Sequence, residues 1–338
     1  MRFPKLITFI CLFVALIFLS CAKKTDVMLV EQVAKIPLPP AIPMAPKFHV
    51  IAYVPEWSID MNSIQFDKLT HINYAFILPT VKGDLSPIGD VSALKQLIAK
   101  AHSNKVKVLA SIGGWNHGDA SAFISLSANE SYRKNFISQI LRLFETYSFD
   151  GVDIDWETPK LGVSDKNFTA LIKELSTAVH NEKKIITIAV PPLNEPGIEN
   201  EVLTHIDFLN IMAYDSFSNL LNHSPYSLVV DGLAYWKGRG LPSSKAILGV
   251  PFYGRARKDW DFTSYVLYKD ILQKGGSATS DTFNGIGYNG IQTIKKKTEY
   301  ALKEAGGVMI WELSADVAGS NSLLNALNEV VTSNTDKN

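Results

Sequence analysis

The sequence predicts an α/β fold in the form of a closed (β/α)8 barrel, on three observations. Eight short apolar runs recur along the chain, most followed by a stretch of helical periodicity. The runs are almost continuously apolar, as parallel strands buried on both faces require, rather than alternating with polar residues. Eight such units in roughly 290 residues suit a closed barrel better than an open sheet. No glycine-rich dinucleotide fingerprint follows the first run, which argues against a doubly wound alternative.

In chain order, the predicted strands are 49–54, 69–78, 106–112, 149–157, 185–190, 208–214, 246–252 and 307–313. Helical patterns fall between them at 91–102, 131–147, 166–181, 228–239 and 291–304, with a last one at 322–331. The connection between the fifth and sixth strands is short and only weakly helical, near 200–203. Residues 48–333 are expected to form this one domain. In a barrel of this kind the chemistry gathers at the C-terminal ends of the strands, so those ends are where functional residues are sought.

The segments before the barrel read differently. Arg2 and Lys5 precede an apolar run at 6–19, too short for a transmembrane helix of ~20 residues and suited to a signal segment. Phe18-Leu19-Ser20-Cys21 resembles a bacterial lipobox, with Phe18 where leucine is usual. Residues 1–21 are therefore expected to be a lipoprotein signal ending in a lipidated Cys21. The proline-rich stretch 22–47 is expected to be an extended tether. The protein is expected to be exported and held on a bacterial membrane, in the periplasm or at the cell surface. Cys11 and Cys21 are the only cysteines, so no disulfide, thiolate metal site or catalytic thiol is expected in the barrel. Lys plus Arg and Asp plus Glu each number 33, and no basic run stands out, which makes nucleic acid a poor partner.

The fourth strand carries the chemistry. In Phe149-Asp150-Gly151-Val152-Asp153-Ile154-Asp155-Trp156-Glu157, three acids sit two residues apart and so share one face, at ~6–7 Å intervals. Val152, Ile154 and Trp156 take the other face. Like charges so close repel, and burial disfavours their charged forms. Such a line of carboxylates is a metal site or an acid–base site with shared protons. Asp150, of opposite parity, is expected to be structural. The other strand ends add Tyr53 and Trp57, then Ser111, Gly113, Gly114 and Trp115. Further along come Met212, Tyr214 and Asp215, then Tyr253 and Arg255, and finally Trp311. So many aromatics around the acids fit a sugar better than a hard cation, and no obvious extra ligand set accompanies them. No metal or cofactor is expected. His71, His102, His117, His180, His205 and His223 show no ligand spacing and read as incidental.

At the fourth strand the chain resembles the family 18 glycoside hydrolases, the chitinase family, whose signature D-G-x-D-x-D-x-E is met at every fixed position. Ser111-Ile112-Gly113-Gly114 is similar to the family's S-x-G-G motif. Met212-Ala213-Tyr214-Asp215 is similar to its M-x-Y-D motif, and Trp311 to the tryptophan that floors the cleavage subsite. The resemblance spans about 49–331. It implies the same barrel and a retaining hydrolase of β-1,4-linked N-acetylglucosamine, acting on chitin or chitooligosaccharides. This family is an exception to the two-carboxylate scheme and uses the substrate as nucleophile. By that resemblance Glu157 is the acid and then the base. Asp155 orients the 2-acetamido group, Tyr214 binds its carbonyl oxygen, and Asp153 shares a proton with Asp155. The others named at the rim are implied sugar contacts.

One departure concerns the α+β insertion that many chitinase-type members carry between strands seven and eight. Only 52 residues, 255–306, are available here, and the last of them already read as helix. Little or no insertion domain, and a shallow groove, are therefore expected. The same mechanism serves an endo-β-N-acetylglucosaminidase acting on the chitobiose core of N-glycans, which is the nearest alternative. A non-catalytic chitin-binding lectin is a third; such members usually lack the acid at the position of Glu157. A monomer is expected.

Overall fold

The computed structural model describes residues 48–195, 197–216, 222–258, 261–262 and 264–335. The signal segment, Cys21 and the 22–47 tether lie outside the described residues.

Seven parallel strands come first: β1 (His49–Pro55), β2 (His71–Ile77), β3 (Lys107–Gly113), β4 (Gly151–Asp155), β5 (Ile185–Val190), β6 (Phe208–Ile211) and β7 (Ala246–Pro251). Five short strands follow: β8 (Tyr253–Lys258), β9 (Asp261–Phe262), β10 (Val266–Leu267), β11 (Thr282–Phe283) and β12 (Ile286–Gly287). They pair antiparallel into a small side sheet centred on β8. The last strand, β13 (Gly307–Trp311), returns to the barrel between β7 and β1, and pairing of His49 with Gly307 closes the circle. The closed eight-stranded parallel barrel is the predicted one. The insertion is small but real: five two- to six-residue strands and one short helix.

Helices pack outside the strands, one of them in the insertion. They are α1 (Val91–Ser103), α2 (Ser121–Ala128), α3 (Glu130–Tyr147), α4 (Asp165–Asn181), α5 (Val202–His205), α6 (Tyr226–Gly238), α7 (Tyr268–Gln273), α8 (Ile291–Glu304) and α9 (Leu323–Thr335). Helix α1 starts where Asp90 accepts a hydrogen bond from the Ala93 backbone N–H, and it buries Leu94, Leu97, Ile98 and Ala101, a helical stripe. Asn129 caps α3 in the same way, and Ser148 ends it in the left-handed conformation. Helix α2 escapes the sequence pattern because Ser-Ala-Phe-Ile-Ser-Leu-Ser-Ala carries no clear polar face.

Two layers of core follow from strand parity. Val50, Ala52 and Val54 of β1, and Val152 and Ile154 of β4, face the helices within the larger core. Ile51 and Tyr53, with Ala75, Ile247 and Met309, fill the barrel interior. Trp156 packs outward, stacked on Phe123 at 5.2 Å and edge-on to Phe168. Burying each such aromatic contributes ~1.5–3 kcal/mol. These contacts hold β4 flat against its helices, so Asp153 and Asp155 must point into the barrel. Asp150 is structural, as its parity suggests: its Oδ2 accepts from the Val108 backbone N–H at 2.8 Å and lies 2.7 Å from His102 Nε2.

Several strands are shorter than the sequence pattern, and two of these bear on the site. β4 stops at Asp155, and β6 stops at Ile211. Past Ile211 the backbone bonds to itself, Ala213 N–H to Ile211 and Tyr214 N–H to Met212, and Asp215 turns to φ +53°. The mouth residues Glu157, Tyr214 and Asp215 thus sit on loops anchored by strands, where a rigid scaffold can present them.

Candidate active site

Asp153 lies at the centre of the barrel and is fully buried. Four neighbours from four other strands donate to it. Tyr53 OH (2.7 Å) and Ser111 Oγ (2.8 Å) bond Oδ2, while Thr187 Oγ1 (2.5 Å) and Asn210 Nδ2 (3.0 Å) bond Oδ1. Burial pushes the Asp153 carboxyl up, and these four hydrogen bonds pull against it. Both its oxygens are engaged with these four groups rather than with Asp155. Burial, then the nearby carboxylates, hold the Tyr53 hydroxyl well above its ordinary value, so it stays a donor.

Asp155 sits one step higher, opposite Gly113 of β3. Its buried Oδ1 has no hydrogen-bond partner. A buried carboxylate oxygen without a donor is costly unless a ligand supplies one. Burial first, then Glu157 and Asp153, raise its carboxyl far above the usual range. The close approach of β3 depends on glycine. A Cβ on Gly113, at φ +111°, would stand 2.2 Å from the Asp155 carbonyl oxygen. One residue on, the Gly114 N–H donates to that same carbonyl at 2.8 Å.

Glu157 ends the line, at the mouth. Burial, and then the charge of Asp215, hold its carboxyl at about 7. A carboxyl so poised is protonated under mildly acidic conditions and can both give and take a proton.

The wall opposite is built from the loop after β6 and from the side sheet. Tyr214 OH lies 3.8 Å from Met309 Sδ, and its ring meets Tyr253 edge-on at 6.2 Å. Gly249 makes the room: a Cβ there would approach the Tyr214 ring to 2.9 Å. Arg255 grips Asp215 with two bonds, Nε to Oδ1 (2.5 Å) and Nη2 to Oδ2 (2.9 Å). Tyr253 OH adds a third at 2.7 Å. Burial alone would raise the Asp215 carboxyl, but bonds from His223, Arg255 and Tyr253 outweigh it and hold it at about 2. Asp215 is therefore a fixed negative charge facing Glu157. His223 is not incidental: its Nε2 lies within bonding distance of both the Asp215 backbone N–H (3.2 Å) and Asp215 Oδ1 (3.3 Å), accepting from the first when it is unprotonated and donating to the second when it carries the proton.

Trp311 lies across the bottom of the mouth, stacked on Phe76 (5.4 Å, 19°) and edge-on to Tyr53. Met212 packs against the same inner barrel cluster. Trp57 and Trp115 stand out from the rim, 70% and 63% exposed, as aromatic faces open to solvent. Every residue predicted for the site lies at the mouth or in the barrel beneath it, except Cys21, which lies outside the described residues.

Sequence reading missed Thr187, Asn210, Phe76, Tyr265, His223 and Gly249. Asn210 was findable, since Asn210, Met212 and Tyr214 repeat the two-residue spacing of the fourth strand. Tyr265 was not. It comes from the insertion and stacks on Tyr253 at 4.4 Å, with Arg255 5.4 Å from its ring centre. Among the described residues no group of His, Cys, Asp and Glu is arranged to hold a metal ion.

These elements make a parallel barrel with a buried carboxylate line at its C-terminal mouth, walled by tyrosines, with a tryptophan across its base. The profile of glycosyl hydrolases family 18 matches residues 49–316, and the chain belongs to that family. It is 29% identical over 266 residues to an endochitinase of Manduca sexta, covering 66% of this chain and 48% of that one. It is 32% identical over 188 residues to chitotriosidase-1 of Mus musculus, covering 46% and 40%. The chain thus spans about half or less of the length of these relatives. Among solved structures, the family 18 chitinase ChiB from the chitin utilization locus of Flavobacterium johnsoniae superposes with a TM-score of 0.77. It is 32% identical, with 86% of this chain and 95% of that chain covered.

Proposed function

We propose that this protein is a retaining glycoside hydrolase that cleaves β-1,4-linked N-acetylglucosamine in chitin or chitooligosaccharides by substrate-assisted catalysis. The observation that carries the reading is the unpartnered, buried Asp155 Oδ1 between a braced Asp153 and a Glu157 poised at about 7. Asp155 takes the acetamido N–H of the sugar and opposes the positive charge that develops. Glu157 gives its proton to the glycosidic oxygen of the leaving sugar. The substrate's own acetamido oxygen, bonded by the Tyr214 hydroxyl, attacks the anomeric carbon and forms an oxazolinium ion. Glu157, now a carboxylate, takes a proton from water as that water opens the ring with retention. Asp153 shares a proton with Asp155 once one of its four donors gives way, as Asp155 turns toward Glu157. Trp311 supports the apolar face of the sugar, and Trp57 and Trp115 extend the platform along the chain. The names of the relatives, endochitinase and chitotriosidase, favour chitin as the polymer.

The test sets a chitooligosaccharide series beside an N-glycan, using the domain from Lys47 onward, with Glu157→Gln as control. Cleavage of the oligosaccharides, lost in the variant, is the expected result. Cleavage of the glycan alone would move the protein to the endo-β-N-acetylglucosaminidase reading. Binding of chitin with no turnover would make it a lectin. We also propose a lipid anchor at Cys21 that holds a monomeric enzyme at a bacterial membrane. Fractionation of cells carrying Cys21→Ser is expected to find the protein released from the membrane fraction.

A further inference from the structure

Behind the mouth lies a buried polar cluster that the proposed mechanism does not use. Lys297, on α8, is only 1% exposed, although Lys295 and Lys296 beside it reach solvent. Its Nζ donates to the Ser224 carbonyl and to Asn289 Oδ1, both at 2.7 Å. Asn289, also buried, turns its Nδ2 to the carbonyls of His223 (3.1 Å) and Ser224 (3.3 Å). The two side chains thus clasp the backbone of a single turn. That turn is not relaxed chain: Ser224 sits at φ +52°, and its N–H returns to the Ser216 carbonyl at 2.7 Å. The turn carries His223, whose Nε2 meets Asp215, itself at φ +53°, at both its backbone N–H (3.2 Å) and its Oδ1 (3.3 Å). His223 also packs its ring 5.2 Å from Tyr253. Burial pushes the Lys297 amine down to about 7, the cost of holding an ammonium there, and its two acceptors offset part of that cost. A surface helix would meet its packing needs with an apolar residue at that position, so the lysine serves the turn.

We propose that Lys297, together with Asn289, is a positioning residue for the reaction, holding the His223–Ser224 turn so that Asp215 stays at its distance from Glu157. The proposal rests on the functional reading above. It runs from α8 through backbone carbonyls to His223, from His223 to the Asp215 backbone, and from the Asp215 carboxylate to Glu157. The charged or titratable groups facing this path are Asp281 beside Lys297, then Lys297, Arg255 and Asp215 around His223. Tyr253, Arg255, Tyr214 and Tyr265 face Asp215, and Asp155, Tyr214 and Asp215 face Glu157. The charge of Asp215 adds to burial in keeping Glu157 protonated. If the turn loosens, that charge recedes, and Glu157 loses its proton at lower pH.

The experiment uses the full chain and compares wild type, Lys297→Met and Asn289→Asp. Methionine keeps the length of the lysine without its donors. Aspartate still partners Lys297 but cannot donate to the two carbonyls. The pH profile of kcat/KM on chitooligosaccharides is read for each, because the position of a limb does not depend on the amount of folded enzyme. The basic limb is expected to move down by about half a pH unit or more in Lys297→Met, with turnover reduced about tenfold, and less in Asn289→Asp. Nitrogen NMR of labelled histidine reads the His223 contact directly, and its Nε2 signal is expected to shift in both variants. Limbs and His223 signals that coincide with wild type, whatever happens to the melting temperature, would overturn the proposal. If Lys297→Met does not fold, Asn289→Asp decides alone. A wild type whose turnover survives Glu157→Gln would instead overturn the functional reading, while the histidine signal still tests the clasp.

Discussion

Glu157 carries two pH effects of opposite use. Its carboxyl, held at about 7 by burial and by Asp215, must be protonated to act as an acid, so kcat/KM is expected to fall as pH rises through about 7. Asp215→Asn removes the facing charge, and the basic limb is expected to move to lower pH in a kcat/KM profile. The same raised value affects stability. A carboxyl raised above its unfolded value stabilises fully below that unfolded value and loses this contribution as pH rises through the folded one. Glu157→Gln is therefore expected to stabilise the fold above pH 7 by ~1–3 kcal/mol, with little gain at pH 4, measured by urea unfolding at both. Asp215 behaves the other way. Its contribution is present above the unfolded value and lost only as pH falls through about 2.

At the scale of elements, the active site depends on how closely β3 approaches β4. Gly113 lets the backbone of one strand meet the carbonyl of the next, and a methyl group there would collide with it at 2.2 Å. Gly113→Ala is expected to cost ~2–4 kcal/mol in denaturant unfolding, since both the clash and the positive φ oppose it. It is also expected to lower kcat sharply by displacing Asp155. The loop after β6 is the second element on which the site depends. It leaves its strand at Ile211 and is held from outside by Arg255, Tyr253 and His223. The fork of Arg255 reaches both oxygens of Asp215, which a lysine cannot do. The small side sheet thus contributes to the wall of the site although it is too short to be a domain.

For the whole molecule, closure is the central fact. Strand β13 joins β7 to β1, and without it two long parallel edges would be open to pairing with other chains. A chain ending at Gly306 is expected to lose its cooperative thermal transition and to aggregate, as seen by circular dichroism and size-exclusion chromatography. Closure also explains how Asp153 comes to be bonded from β1, β3, β5 and β6 at once. Its partners lie 100, 42, 34 and 57 residues away.

By itself the sequence determined the barrel, the order of its strands and which acids share a face, because apolar runs and two-residue spacing are local properties of the chain. Asp153, Asp155 and Glu157 were legible for that reason, and so was the structural part played by Asp150. Only the tertiary structure decided what each acid meets. The donors around Asp153 are chosen by strand register, the burial of Asp155 by the packing of Trp156 on its helices, and the poise of Glu157 by its burial and then by a carboxylate on another loop. His223 shows the limit most clearly. Its spacing resembles nothing, and its place beside Asp215 follows from a turn clasped by a lysine from a distant helix. Electrostatics acts through space, and chain distance does not report it.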